Sequence, residues 1–269
     1  MKKLLIIASL LFCSLAFAKQ TKPLTYELLK QNNHTIHLLK FDPADYPLQL
    51  VRAEANGRET VPSMVARTKA LAGINGGFFQ TTSGQAKPAG ILIIDGQVVS
   101  FARGTRSIVN IEKRKITIGR AQVSQKGKSI KLQMQNGKVI SNPQNVVTGI
   151  PMLVIDGRIA TNLDKSGGQD FVSNAHARTA MCVQKNGTVV IAVVEHGYSV
   201  GAAVGFTLPE LAQFMVSQEC YQAINFDGGG SSTLVYEGQL KNKTIGDLDE
   251  AMGLQTVRPV TDAIVVQNK

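Results

Sequence analysis

The sequence is poor in aromatic residues and in cysteine: none of its 269 residues is tryptophan, aromatics make up 6%, and three cysteines are present. Cys182 and Cys220, the two outside the N-terminal segment, have no His or Cys neighbour at metal-ligand spacing, so neither a metal nor a cofactor is expected. In an oxidising compartment the same pair is a candidate for one disulfide, with two buried thiols as the alternative.

Long apolar runs are lacking as well, except for Leu4–Leu15 near the N-terminus. A basic start precedes this run and the small-residue site Ala16-Phe17-Ala18 follows it, a pattern typical of a secretory signal peptide cleaved after Ala18. The run is too short to span a membrane, so no integral membrane contact is expected. The sequence predicts a signal peptide over residues 1–18 and a periplasmic or secreted protein with one domain over residues 19–269.

Acidic residues are few relative to basic ones, which gives a formal net charge of +10. The basic residues are spread along the chain without interleaved aromatics, so nucleic acid is not the expected partner. Such a charge favours acidic or phosphorylated polymers in a general way, and the alternative is an ordinary solvated basic surface.

Turn signals punctuate a chain rich in valine, isoleucine and glycine, which indicates antiparallel strands. Thr207 with Glu210 forms a capping box that predicts an amphipathic helix through Glu219. The lysine-rich segment Lys126–Lys138 is predicted to be an exposed excursion from the sheet. The fold class is therefore α+β: a single domain with a mixed, largely antiparallel sheet core and a few packed helices. The predicted type I′ hairpin turns are Asp95-Gly96, Asn136-Gly137, Asp156-Gly157 and Asn186-Gly187.

One loop stands out between two predicted strands, the segment Asn225–Thr233 with sequence NFDGGGSST. Glycine allows positive φ and close backbone approach, and successive NH groups can form an anion-binding concavity with Ser231 and Ser232 as further donors. The alternative is a strand connection in which Asp227 caps the turn. No lysine follows the glycines, which excludes a Walker A loop. A second loop of this kind is Asn75-Gly76-Gly77.

These two loops, together with Gly149–Gly157, His176–Ala180 and Thr207–Ala212, resemble the phosphodiester glycosidase family. The resemblance implies an enzyme that cleaves a sugar from a sugar-1-phosphodiester and leaves a phosphomonoester. Residues that it places near the active site are Asn75, Arg178, Asn225, Asp227, Gly228, Gly229, Gly230 and Ser231, while His176 matches the form common in bacterial relatives and Gly76 and Ser232 are adjoining binding candidates. Ala177 and the pair Glu195-His196 depart from the family pattern, which leaves the roles of Glu195 and His196 open.

The chemistry of these side chains suggests roles. Asp227 is the hypothetical nucleophile or general base at the anomeric carbon, stabilising an oxocarbenium-like transition state. Arg178 can grip a phosphate bidentately, and its alternative is a structural ion pair. His176 is a candidate proton donor or phosphate ligand, or else a half-buried structural histidine.

Two other functions fit parts of the sequence. One is a non-catalytic envelope protein that binds a phosphoglycan or exopolysaccharide through the same loop and has no turnover. The other is a metal-dependent phosphodiesterase that attacks phosphorus, against which the lack of a dense His/Asp cluster argues. The expected partner is thus a phosphoglycan or another glycosyl phosphodiester, and the oligomeric state is not specified.

Overall fold

The structure is a computed structural model that describes residues 23–54, 57–161, 163, 168–199, 202–246 and 256–268. The predicted signal peptide, residues 1–18, lies outside these ranges. Across the ranges given, no helix combines the length and the apolar character that a membrane span requires.

Two seven-stranded sheets and one five-stranded sheet form most of the fold. In spatial order the first sheet contains β1 (Thr25–Gln31), β2 (His34–Phe41), β17 (Val189–Val194), β16 (Arg178–Gln184), β20 (Cys220–Asn225), β14 (Met152–Ile155) and β15 (Arg158–Ile159). The second contains β12 (Val139–Ser141), β11 (Ser129–Met134), β10 (Lys115–Lys126), β9 (Gly104–Glu112), β13 (Asn145–Thr148), β7 (Leu92–Ile94) and β8 (Gln97–Ser100). The third contains β22 (Gln239–Leu240), β21 (Leu234–Tyr236), β4 (Ala72–Asn75), β23 (Asp262–Val266) and β3 (Leu48–Arg52).

Two short ribbons and three α-helices also occur in the described part of the chain. The ribbons are β5 (Phe79–Thr82) with β6 (Gln85–Pro88), and β18 (Gly197–Ser199) with β19 (Ala202–Val204). The helices are α1 (Val61–Thr68), α2 (Gln169–Ser173) and α3 (Leu208–Ser217). Strand pairs are antiparallel wherever the structure describes both strands, which confirms the largely antiparallel core and the small helical content, whereas the parallel pairing of a mixed sheet does not occur among them.

The main core lies where the sheets face one another, and every residue of β17 is buried in it. A strand that is apolar on both faces needs cover on both, and this explains its central place between β2 and β16. Helix α3 places Leu211 and Met215 in the same core, whereas α1 packs Met64 and Val65 against the third sheet. The core therefore fixes the position of the strand ends that form the candidate site.

The predicted capping box is confirmed at the start of α3. The Glu210 NH donates to Thr207 Oγ1 at 3.3 Å, and the Thr207 NH donates to Glu210 Oε2 at 2.8 Å. The helix ends at Ser217, two residues earlier than predicted, because Glu219 adopts a left-handed conformation with φ of 58°.

The four predicted hairpin turns are of two kinds. Asp95-Gly96 and Asp156-Gly157 have positive φ at both residues, as a type I′ turn requires. At Asn136-Gly137 and Asn186-Gly187 only the glycine has positive φ. In these two turns the Asn side chain accepts a hydrogen bond from the NH two residues later. This Asx contact favours a turn in which only the glycine has positive φ, so the predicted type I′ geometry does not form there.

The prediction for Lys126–Lys138 is wrong, because β11 is an integral strand of the second sheet. Ile130, Leu132 and Met134 are buried, while Lys131 between them is exposed. The lysines concealed a period-two alternation, which is the strand signal that decides the conformation here.

Cys182 and Cys220 form a disulfide that joins β16 to the start of β20, with Cα atoms 5.7 Å apart and a sequence separation of 38. Both residues are buried in the main core. The bond therefore links neighbouring strands of the first sheet at the ends opposite to the candidate site.

We expect the double variant Cys182→Ala/Cys220→Ala to lose about 4 kcal/mol of unfolding free energy, because the open chain gains the loop entropy that the bond removes. Urea denaturation of the wild type under oxidising and reducing conditions should give a similar difference. Equal midpoints for the oxidised and reduced wild type would contradict the assignment.

Candidate active site

Four strand ends from two sheets meet at one place. In the first sheet β20 ends at Asn225 and β16 begins at Arg178, and these strands are paired through Ala180 and Asn225. In the third sheet β4 ends at Asn75, which is paired with Ala263 of β23. The two glycine-containing loops that the sequence singled out both leave from this junction.

Asn75 joins the two sheets and is fully buried. Its Oδ1 accepts hydrogen bonds from Thr179 Oγ1 at 2.8 Å and from the Thr233 NH at 3.2 Å. Its Nδ2 donates to the Asp227 carbonyl at 2.8 Å. The side chain thus connects β4 to β16 and to both ends of the glycine loop.

Two of the three glycines are required by close packing. A β-carbon on Gly228 would lie 2.7 Å from the Ala177 carbonyl oxygen, and one on Gly230 would collide with the Gly246 carbonyl. Gly229 has a φ of 56°, which a residue with a side chain rarely adopts. The glycine run therefore lets the loop lie directly against the start of β16.

Most NH groups of this loop donate within the protein. The Gly229 NH donates to the Ala177 carbonyl at 2.8 Å, and a single 3-10 turn over Gly229–Ser231 uses the NH groups of Ser231 and Ser232. The NH of Gly228 donates to Asp227 Oδ1. Because these donors are engaged, fewer NH groups face an anion than the composition of the loop suggests.

The carboxylate of Asp227 is half-buried and held at both oxygens. Oδ2 accepts from Ser231 Oγ at 2.7 Å, and Oδ1 accepts from the Gly228 NH at 3.0 Å. The backbone NH of Asp227 donates to the Gly76 carbonyl at 3.3 Å. Two donors, one to each oxygen, restrict the rotation of the carboxylate.

Arg258 is a residue of this site that sequence reasoning missed. Its Nη1 donates to Ser231 Oγ at 3.2 Å, so Ser231 lies between a guanidinium and the Asp227 carboxylate. The Arg258 Nη2 lies 3.5 Å from the Gly246 carbonyl. In sequence Arg258 only precedes Pro259 and the last strand, and nothing local connects it with a loop 27 residues away.

The environment of Arg178 is not the one expected of the phosphate ligand that the sequence predicted. It is 1% exposed, and its Nε donates to the Phe206 carbonyl at 2.8 Å. Its Nη2 donates to the carbonyls of Phe171 and Asn174 at 2.9 and 3.0 Å, and the guanidinium lies over the Phe171 ring. Burial lowers the pKa of Arg178 to about 10, so it remains charged at neutral pH. The side chain ties α2 and the segment before α3 to β16.

His176 lies beside the glycine loop and is half-buried. Its backbone forms an isolated antiparallel bridge with Phe206, through hydrogen bonds of 3.1 and 3.0 Å. The next residue, Ala177, provides the carbonyl against which Gly228 and Gly229 pack. His176 is therefore the residue directly before the one on which the Asp227 loop packs.

Glu195 belongs to a separate buried chain of hydrogen bonds. Its Oε1 contacts His37 Nε2 at 2.9 Å and accepts from the Lys243 NH at 2.8 Å, while His37 Nδ1 is 2.9 Å from the Tyr26 hydroxyl. Burial acts to raise the pKa of Glu195, but the hydrogen bonds from His37 and Lys243 outweigh it and lower the pKa. Glu195 therefore fixes the segment that contains Lys243, and the neighbouring His196 is half-buried.

Asn225 and Ser232 are fully buried supports of the loop. Asn225 Nδ2 donates to the Ile150 carbonyl at 2.6 Å. The carbonyl of Ser232 accepts from Asn242 Nδ2 at 2.9 Å, and Asn242 Oδ1 accepts from the Leu234 NH at 2.6 Å. Asn242, which the sequence did not single out, thus holds the far side of the loop.

In the part of the chain that the structure describes, no group of three or more His, Cys, Asp or Glu is arranged to hold a metal ion.

Comparison with known proteins finds mammalian relatives that match 62–69% of this chain. The N-acetylglucosamine-1-phosphodiester alpha-N-acetylglucosaminidase of Homo sapiens is 28% identical over 196 residues, 69% of this chain and 36% of the human protein. The chain spans about a third of the length of the curated relatives it matches.

Solved structures show the same fold. The zebrafish N-acetylglucosamine-1-phosphodiester alpha-N-acetylglucosaminidase catalytic domain superposes with a TM-score of 0.68 at 22% identity, over 92% of this chain and 83% of that one. A Burkholderia pseudomallei protein described as exported has a TM-score of 0.61 at 19% identity, over 87% of this chain and 74% of that one. A model of the phosphodiester glycosidase family matches residues 68–267, a range that contains both glycine loops, Asp227 and Arg258. The chain therefore belongs to the phosphodiester glycosidase family.

Proposed function

We propose that this chain hydrolyses a sugar-1-phosphodiester, of the type that the names of its curated relatives describe, to a free sugar and a phosphomonoester. The observation that carries this proposal is the Asp227 carboxylate, which two donors hold in place at the junction of two sheets beside the Arg258 guanidinium. A fixed anion next to a cation suits a substrate that develops positive charge at carbon and carries negative charge on phosphate.

The reaction needs one carboxylate because of its leaving group. Cleavage of the bond between the anomeric carbon and oxygen sends the electron pair to the phosphate, which departs as a monoester with a second pKa near 6 and requires little protonation. Asp227 acts at the anomeric carbon as nucleophile or as the base for water, and water finally supplies the hydroxyl of the free sugar. We assign proton transfer or a phosphate contact to His176, because it directly precedes Ala177, whose carbonyl binds the loop.

In this proposal Arg258 binds the phosphate instead of Arg178. Arg178 already donates to three carbonyl groups and is almost completely buried, whereas Arg258 is half-buried and reaches the Ser231 hydroxyl. A guanidinium next to the carboxylate can bind the two non-bridging phosphate oxygens in a fork geometry. Ser231 orients both charged groups.

Export is part of the proposal. The N-terminal segment has the three regions of a signal peptide, and a structural neighbour is described as exported. The substrate would then be a glycosyl phosphodiester or phosphoglycan outside the cytoplasm.

Asp227→Asn should lower kcat by roughly a thousandfold or more, because the amide can neither attack the anomeric carbon nor act as a base. The assay uses the methyl phosphodiester of N-acetylglucosamine 1-phosphate in oxygen-18 water, with the label expected in the sugar. Asp95→Asn, a type I′ turn position that tolerates Asn, is the matched control and should keep wild-type activity. Label in the phosphate, or more than a few per cent activity in the Asp227 variant, would refute the mechanism, and binding without turnover by the wild type would favour the non-catalytic alternative.

The two arginines should respond differently to replacement by lysine. Arg258→Lys should raise KM about 10- to 100-fold with little change in stability, since the fork geometry is lost at a residue that is only half-buried. Arg178→Lys should lower the unfolding free energy by about 2–4 kcal/mol, since a lysine ammonium cannot satisfy three carbonyls in that plane. Steady-state kinetics and urea denaturation of both variants separate these outcomes. A raised KM in Arg178→Lys at unchanged stability would show that Arg178, and not Arg258, binds the phosphate.

Expression of the full chain in a bacterial host should yield a mature protein that begins at Lys19. Intact-mass measurement of the periplasmic fraction checks the cleavage site, with a variant carrying Ala16→Arg and Ala18→Arg as the uncleaved control. Accumulation of the full-length chain in the cytoplasm would contradict export.

A further inference from the structure

Asp262 is a buried carboxyl group directly under one of the two glycine loops. It is the first residue of β23 and is 1% exposed. Its Oδ2 accepts from the Gly77 NH at 3.0 Å, its carbonyl accepts from the Gly76 NH at 2.9 Å, and Oδ1 accepts from Thr261 Oγ1 at 2.8 Å.

A single residue separates this carboxyl group from the proposed catalytic loop. Gly76 donates its NH to the Asp262 carbonyl and accepts the Asp227 NH at its own carbonyl. A β-carbon on Gly76 would collide with the Asp262 carboxylate, so the glycine is required for this close packing. The Gly77 NH, which donates to the Asp262 carboxylate, and the Gly76 carbonyl, which accepts from the Asp227 NH, belong to the same peptide group. Displacement of the Asp262 side chain therefore moves the peptide group that binds the Asp227 backbone.

An ionised carboxylate at this buried position costs free energy of desolvation. Burial raises the pKa of Asp262 to about 6, the hydrogen bonds from Gly77 and Thr261 oppose the shift, and the negative charge of Asp227 adds to it. On β3 the residue paired with Asp262 is Arg52, whose side chain is exposed. Asparagine could accept the same NH without a buried charge, so anchoring alone does not explain an aspartate here.

We propose that Asp262 is a positioning residue for the reaction, one whose carboxylate holds the Asn75-Gly76-Gly77 loop under Asp227 and whose charge adds to the negative potential there. This inference rests on the proposed function of Asp227. A second negative charge beneath the site favours the positive charge that develops on the anomeric carbon. Because Asp262 is shielded from solvent, it acts through the loop and through its field, without touching the substrate.

Asp262→Asn keeps the acceptor for Gly77 and removes the charge. We expect kcat to fall about tenfold at pH 7.5 while KM stays within about twofold. We also expect the acid limb of kcat/KM near pH 6 in the wild type to disappear in the variant. Wild-type kcat in Asp262→Asn from pH 5 to 8 would overturn the proposal.

The stability of the same variant has a predicted sign. Because the pKa of Asp262 is raised to about 6 in the folded protein, the contribution of Asp262 to the stability of the wild type falls as pH rises from about 4, where an unfolded aspartate ionises, to about 6. Asp262→Asn should therefore gain stability relative to the wild type across this window. A variant that loses both activity and stability at pH 7.5 would indicate a merely structural residue.

Thr261→Val provides an independent test that leaves the carboxyl group in place. Losing the hydrogen bond from Thr261 Oγ1 disfavours the ionised form, so the acid limb should move to higher pH. An acid limb that stays at the wild-type pH in Thr261→Val would contradict the assignment of the limb to Asp262.

Hydrogen exchange separates failure of this inference from failure of the proposed function. In Asp262→Ala, the peptides that cover residues 75–77 and 227–229 should both lose protection, since the first segment supports the second. This measurement does not require turnover, so it decides the positioning role even if the wild type fails to hydrolyse the phosphodiester. Loss of protection confined to residues 75–77, or in neither segment, would overturn the inference.

Discussion

The site depends on the side-chain amide of Asn75, which links two sheets through one donor and two accepted hydrogen bonds. An amide is needed because Thr179 and Thr233 donate to it while the Asp227 carbonyl accepts from it. Aspartate would lack the donor, and an apolar residue would leave three buried polar groups unpaired, each costing about 1–3 kcal/mol. The geometry of the glycine loop is thus a consequence of how the first and third sheets are joined.

Local sequence signals predicted the local structure of this protein. The capping box at Thr207 and Glu210 depends on residues three apart, and the Asp-Gly turns depend on adjacent residues, so each could be read without knowing the fold. The loops around Asn75 and Asp227 were also recognisable from the sequence. Consecutive glycines after a polar residue at a strand end cost conformational entropy, so they indicate a position where the backbone must pack closely or adopt positive φ. Strand β11 was not predicted, because Lys131 on its exposed face and the lysines that flank the strand hid the buried alternation of Ile130, Leu132 and Met134.

Long-range contacts were beyond the reach of the sequence, and they decide the roles of the charged residues. Arg178 was a reasonable phosphate ligand by chemistry, but the carbonyls that it binds belong to α2 and to the segment before α3. Arg258 and Asp262 lie near Asp227 only because the last strand of the chain pairs with β4. Their positions follow from the topology of the third sheet, which no local pattern specifies.

The internal hydrogen bonds of the glycine loop change how anion recognition should be understood here. In a phosphate-binding nest the successive NH groups point at the ligand, whereas in this loop the NH groups of Gly228, Gly229, Ser231 and Ser232 bind acceptors within the protein. The glycines therefore serve to bring the loop against Ala177 and to hold the Asp227 carboxylate in one orientation. In the proposed function, negative charge on the substrate is therefore met by side chains, and the candidate is half-buried Arg258, whose guanidinium is bonded to the same serine as Asp227. In the proposed function, the Gly228 NH and the Ser231 hydroxyl orient the carboxylate, and the phosphate is recognised by the side chain of Arg258, 27 residues further along the chain.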